Sequence, residues 1–266
     1  MNSEENLKKV SATRALLLDL DGTVYLENEL IGDVKNTLKY MRDIGVKIGY
    51  LTNNSSRTDD EYVEKLTKMG IFDERDIFYS SLDATIDFLK TNYPDKTVYP
   101  LATKKVTAVL ETAGIKLSEN ADIVLLTFDK ELNYEKMVKA NELIVKGATY
   151  ISTHPDNTCP AKDVFIPDAG SFISLFKTSS GREPDIIVGK PFTTMADMLV
   201  KILNLSRDKI TMVGDRLHTD IAFGVNADFN TVLVLSGETT LDMAKVNPIK
   251  PTLILDDINC LKNIIK

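Results

Sequence analysis

Cysteine is scarce. The chain of 266 residues carries two, Cys159 and Cys260, which form neither a CxxC site nor a disulfide framework and so fit a reducing compartment. Long apolar runs are missing too. No stretch approaches the roughly 20 apolar residues a membrane span requires, and the opening MNSEENLKKV has no apolar signal region. A cytoplasmic protein with no membrane partner is expected. Nor is positive charge concentrated anywhere. The 32 basic and 39 acidic residues leave a net charge of −7 spread along the chain, which favours solubility and provides no phosphate-tracking surface for a nucleic acid polymer. There is no repeat, low-complexity tract or coiled-coil heptad.

What is present is ordinary in bulk, with 43% hydrophobic and 27% charged residues, as in soluble globular proteins. The length exceeds the need of one minimal core, so one large domain or two unequal ones follow. Short β-rich apolar runs alternate with longer amphipathic segments, the pattern of an α/β protein with a mainly parallel sheet. "ALLLDL" (15–20) reads as the first strand, "VKNTLKYMRDIG" (34–45) as a helix closed by Gly45, and "VKIGYLTNN" (46–54) as a strand running into polar residues. Thr58 and Glu61 have capping-box spacing for a helix over 59–69 that Gly70 ends, and "DIFYSS" (76–81) is a third strand. The same grammar returns downstream in "DIIVGKP" (185–191), a strand followed by a Pro-initiated helix, then in "KITMVGD", "NTVLVLSG" and "PTLILDDI". Between these halves, about a hundred residues carry their own strand and helix signals and exit through "TSSGREPD" (178–185), which reads as a linker. The expected organisation is a core of 1–81 and 185–266 with a second domain, 82–184, inserted into it.

The first strand poses a chemical problem. "LLLDLDGTVY" (16–25) ends in Asp19 and Asp21, and residues i and i+2 of a strand point to the same side. Two carboxylates at the edge of an apolar core repel each other and resist desolvation, so a divalent cation is expected to compensate. Ligands of open α/β sheets bind beyond the carboxyl ends of the strands. Those ends carry Asp19 and Asp21, then Thr52-Asn53-Asn54, then Lys190, then Asp215. Taken singly, each has a plainer reading: an Asp as a turn former, Thr52 and Asn54 as helix caps, Lys190 as a solvated lysine. Their convergence on one sheet edge is what points to a site.

"DLDGTVY", "LTNN", "GKP" and "GDRLHTD", in that order and spacing, resemble the four motifs of the haloacid dehalogenase (HAD) superfamily. The insertion resembles the large C2-type cap of its NagD-like, class IIA phosphatases, with "THPD" and "GREPD" in the cap and its exit. The resemblance covers nearly the whole chain. It implies a Rossmann-like core plus an α/β cap, and a Mg²⁺-dependent phosphatase acting on monoesters of small metabolites (sugar phosphates, nucleotide monophosphates, p-nitrophenyl phosphate) through an aspartyl-phosphate. The alternatives are a phosphotransferase or mutase of the same superfamily and, from another class, a phospho-aspartate signalling module.

Position by position, the resemblance implies Asp19 as nucleophile and Asp21 as the acid that protonates the leaving oxygen and then takes a proton from water. Dehalogenase members lack the acid at the Asp21 position, so its presence favours phosphoryl transfer. Thr52, with Asn53, would hold a phosphate oxygen, and Lys190 would bridge Asp19 and the phosphate as a point charge. The Mg²⁺ shell implied is an Asp19 oxygen, the Asp21 backbone carbonyl, the Asp215 carboxylate, a phosphate oxygen and waters, the oxygen-only set that Mg²⁺ prefers. Asp220 is open between holding a metal-bound water, holding Lys190 and capping a helix. His218 reads as a solvated loop residue. In the cap, the loop His154-Pro155-Asp156 would contact the leaving group, or else form a plain turn fixed by Pro155. Closure of the cap over small substrates implies hinges near 80–84 and 181–186, and a homodimer is plausible for such a family.

Overall fold

The structure is a computed structural model that describes residues 2–161 and 164–266. The chain divides into two compact units. One runs to Thr52, resumes over Asp60–Tyr79 and returns over Lys190–Lys266; the other comprises Asn53–Asp59 and Ser80–Gly189.

The first unit is built on a six-stranded sheet. Its spatial order is Leu253–Leu255, Asn230–Val234, Ile210–Gly214, Ala15–Leu18, Lys47–Thr52, Ile77–Ser80. Ala15–Leu18 is central and pairs in parallel with Ile210–Val213 on one side and Lys47–Tyr50 on the other. Every residue of ALLL is fully buried, because a parallel strand covered on both faces reads as an unbroken apolar run. On one face Leu16, Leu18, Val213, Val232 and Val234 pack with Leu38, Met41 and Leu66 of flanking helices, while Leu233 and Ile254 join Leu217, Ile221 and Ala244 in a separate cluster. At the outer edge, Asn2 imitates a strand: its side-chain amide donates to Ile254 O at 2.8 Å and accepts from Ile254 N at 3.0 Å. The helices Val34–Asp43 and Asp59–Lys68 are followed by Gly45 at φ 82° and Gly70 at φ 72°, the left-handed exits the sequence called for.

The second unit has its own parallel sheet of five strands, ordered Ile186–Ile187, Thr149–Ser152, Ile123–Leu126, Thr97–Leu101, Lys116–Leu117. Asn133 caps the helix Tyr134–Val145, accepting from Lys136 N at 3.0 Å, and Asp168 caps Ala169–Ser180. Thr158–Ala161 pairs antiparallel with Val164–Pro167.

Three local readings of the sequence are corrected. Ile186–Ile187, grouped with the core, pairs with Ile151–Ser152 of the second unit; two apolar residues suit either sheet, and tertiary packing chooses. The segment read as a linker is knitted in. Arg182 donates to the carbonyls of Ile144 and Ala148 at 2.8 and 3.0 Å and forks onto Asp185, whose carboxylate accepts from Tyr150 N at 2.7 Å. Pro191 does not open a helix. It follows Lys190 through a cis peptide bond, in a turn, and the helix spans Thr194–Leu203; a fixed φ near −65° serves a turn as well as a first helical position. No helix of the described residues is long and apolar enough to cross a membrane.

Candidate active site

Ala15–Leu18 and Ile210–Gly214 are neighbours in the sheet although far apart in sequence, and strand order reverses there. The crevice beyond their carboxyl ends is where ligands of such sheets sit. The two ends deliver Asp19 and Asp215. Asp19 N–H still bonds Val213 O at 2.9 Å, so the residue leaves the ladder with its backbone fixed.

Lys190 is the hub. Its ammonium donates to Asp19 Oδ1 and to Asp220 Oδ1, each at 2.6 Å, and its side chain is only 2% exposed. Of the readings open for Asp220, the structure shows it holding Lys190; its other oxygen accepts from Arg216 N at 3.2 Å. Close packing supports this: a Cβ on Gly214 would overlap the Asp220 side chain.

Asp215 is gripped differently. Oδ2 accepts from Glu238 N at 2.7 Å, and Cβ atoms on Gly22 or Gly237 would overlap the carboxylate. Gly22 also turns the chain at φ 83°, a conformation glycine adopts freely. Oδ1 is buried with no hydrogen-bond partner among the described residues. An orphaned buried carboxylate oxygen is costly unless something cationic meets it. One oxygen from each of Asp19, Asp215 and Asp220 lies within 4.8 Å of the other two. That oxygen-only cluster fits a hard divalent cation.

The electrostatics agree. Burial, then repulsion from Asp220, raises the Asp19 pKa well above the usual range against the pull of Lys190, with Asp215 adding to the rise. Burial and then Asp220 push Asp215 up to about 6. For Lys190, burial acts downward, but Asp19 and Asp220 outweigh it and hold the ammonium charged. Arg216 behaves likewise: burial is offset by Asp19 and by Glu238, with which it pairs at 3.0 Å.

Asp21 departs from the expectation. The strand stops at Leu18, and Asp21 is an exposed residue of the turn, bridged to Tyr25, outside the carboxylate cluster. The strand has already ended, so strand alternation does not set the side on which Asp21 stands. Thr52 is buried at the end of Lys47–Thr52. Asn53 begins the second unit, where its Nδ2 donates to Asp156 Oδ2 at 3.1 Å. Asn54 Oδ1 accepts from Ser56 N at 3.0 Å, a local turn bond. His154 does not face solvent. It is fully buried, with Nε2 2.9 Å from Asp168 Oδ1 and Nδ1 2.9 Å from Thr153 Oγ1. His218 is exposed, as expected. The sequence reading missed Gly237-Glu238 and Arg216. The first pair follows the strand Asn230–Val234, so it lies at one more strand end of the same edge; Arg216 stands inside the quoted "GDRLHTD".

Residues 16–116 match the model of the haloacid dehalogenase-like hydrolases, and residues 187–261 match a HAD-hydrolase-like model. The acid sugar phosphatase of Staphylococcus saprophyticus is 34% identical over 92% of this chain and 95% of its own. The chain belongs to the haloacid dehalogenase-like hydrolases. Among solved structures, the 4-nitrophenylphosphatase of Thermotoga maritima superposes with a TM-score of 0.93 at 34% identity, over 97% of this chain and 99% of that one. A putative nagD protein gives 0.87 at 35%, over 93% and 96%. The p-nitrophenyl phosphatase of Archaeoglobus fulgidus gives 0.88 at 28%, over 94% and 99%. This HAD hydrolase is therefore an α/β enzyme of the NagD-like phosphatase type, and hydrolases of this family generally use a divalent metal.

Proposed function

We propose that the protein is a Mg²⁺-dependent phosphatase that hydrolyses monoesters of small metabolites, sugar phosphates foremost, through an aspartyl-phosphate on Asp19. The observation that carries the reading is the Lys190 ammonium held between Asp19 and Asp220 at 2.6 Å, beside an Asp215 oxygen that lacks a partner. The names of the relatives, an acid sugar phosphatase and p-nitrophenyl phosphatases, support the substrate class.

Asp19, Asp215 and the Asp21 backbone carbonyl would hold the ion, with Asp220 close by. A bound divalent ion supplies positive charge that keeps Asp19 ionised and screens its approach to a phosphate dianion. Asp19 attacks phosphorus as the ester P–O bond breaks, and Asp21 protonates the departing alkoxide. Water then attacks the acyl-phosphate, Asp21 takes its proton, and the P–O bond to Asp19 breaks to release phosphate. Lys190 stays paired with Asp19 and offsets the charge that accumulates on the transferring group. Asp21's exposed position suits a group that exchanges protons with leaving group and water, while the half-buried Asp19, tied to Lys190, is kept for phosphorus. Thr52 and Asn53 bind phosphate oxygens. The unit of Asn53–Asp59 and Ser80–Gly189 is the cap of this reading.

The test is phosphate release from hexose monophosphates, nucleoside monophosphates and p-nitrophenyl phosphate, with Mg²⁺ and with EDTA. Wild type should turn over at least one class only with Mg²⁺. Asp19→Asn should keep its circular dichroism spectrum and lose turnover by about 10³-fold or more. Equal turnover by Asp19→Asn would end the nucleophile assignment.

A further inference from the structure

Asn53 follows Thr52 directly, and its side-chain amide and its carbonyl both bond residues of the second unit. Its Nδ2 donates to Asp156 Oδ2 at 3.1 Å, and its carbonyl oxygen accepts from Ser81 Oγ at 2.6 Å. Its Oδ1 faces Gly189, where an added Cβ would stand 2.7 Å away and also 2.7 Å from Thr153 O. Two residues on, Ser55 Oγ lies 2.9 Å from Thr153 Oγ1 and accepts from Phe128 N at 2.9 Å. Asp156 is itself anchored, because Gly170 N donates to its carbonyl at 2.8 Å in the first turn of Ala169–Ser180. The carboxylate is half-buried and aimed at an amide, the geometry of an orienting partner.

We propose that Asp156 is a positioning residue for phosphate binding: acting through the Asn53 amide, with Ser81 holding the Asn53 carbonyl, it sets the backbone that follows Thr52. This replaces the expectation that Asp156 contacts the leaving group, and it rests on the reading of Thr52 and Asn53 as phosphate-holding. What the position requires is an acceptor oxygen that holds the Asn53 amide in one orientation, a role either a carboxylate or an amide oxygen can fill. A polar contact ordering one loop residue also affects every ligand that shares the phosphate, whatever alcohol it carries.

That uniformity is testable. Asp156→Ala, Asp156→Asn and Ser81→Ala are compared with wild type for KM on p-nitrophenyl phosphate, KM on a hexose monophosphate, and Ki of inorganic phosphate. Asp156→Ala and Ser81→Ala should raise all three constants by a common factor, about three- to tenfold. Asp156→Asn, whose side-chain oxygen can still accept from Asn53 Nδ2, should return within about twofold of wild type. A KM change that differs between the two esters while Ki stays put overturns the proposal in favour of direct contact with the leaving group. A fall in melting temperature with all three constants unchanged overturns it as well, leaving a structural bond. Should wild type release no phosphate from any ester, the functional reading has failed first, and that is visible before any variant is made.

Discussion

Asp215 concentrates the chemistry at the residue scale. One of its oxygens is held by the Glu238 amide, the other is orphaned, and its pKa is raised from 3.8 to about 6 by burial and Asp220. A raised carboxyl pKa means that the fold favours the protonated form. The stability this gives is complete below pH 3.8 and is lost as pH climbs through about 6. In metal-free protein the ionised cluster should therefore destabilise the fold at pH 7.5 and much less at pH 5. Asp215→Asn removes the charge and should raise the melting temperature in EDTA at pH 7.5 by more than at pH 5, a gain of at most about 3 kcal/mol. Thermal melts of both proteins at both pH values check this. A variant less stable than wild type at pH 7.5 would contradict it. Asp19, Lys190 and Asp215 were legible in the sequence because each follows a short apolar run, and a polar residue there stands at a strand end. Asp21 was legible as an acid but not in its placement, since a sequence does not show whether a strand ends one residue before a motif or within it.

Glycines at strand ends do at the element scale what side chains cannot. The strand Asn230–Val234 leads to Gly237, and a Cβ there would drive into the Asp215 carboxylate. Gly237→Ala should leave the sheet intact but tilt Asp215, raising the Mg²⁺ concentration for half-maximal turnover by about 10–100-fold, as when a residue supporting a metal ligand is lost. An unchanged Mg²⁺ requirement in a titration of activity would contradict the packing argument. This support was illegible in "LVLSGET", which reads as an ordinary strand exit; only the register of three neighbouring strands places it against Asp215. The same limit explains Ile186–Ile187. Strand existence is written in local apolar runs, whereas the choice of partner is made by packing. Long helices and their glycine exits, such as Gly45 and Gly70, depend on nothing distant and were legible throughout.

For the whole molecule, the alternation of strands and helices and the second set of such signals mid-chain made the α/β class readable, and relatives matching over more than nine-tenths of the chain bear out that class. Less readable was where one unit gives way to the other. Asn53–Asp59 and the residues from 185 to Gly189 group with the second unit, because polar residues such as Asn53 and Asp185 take their partners there. A net charge of −7 also sets the demand on the site: a phosphate dianion would approach an acidic protein at the point where three carboxylates gather. Lys190 and Arg216 bring two positive charges against Asp19, Asp215, Asp220 and Glu238, too little to offset that repulsion. The direct measurement is phosphate release from p-nitrophenyl phosphate by EDTA-treated wild type and Asp215→Asn, each titrated with MgCl₂. Wild type should be silent in EDTA and recover saturably, and Asp215→Asn should need at least about tenfold more Mg²⁺. Turnover that survives EDTA, or one Mg²⁺ dependence shared by both proteins, would contradict the metal-assisted reading.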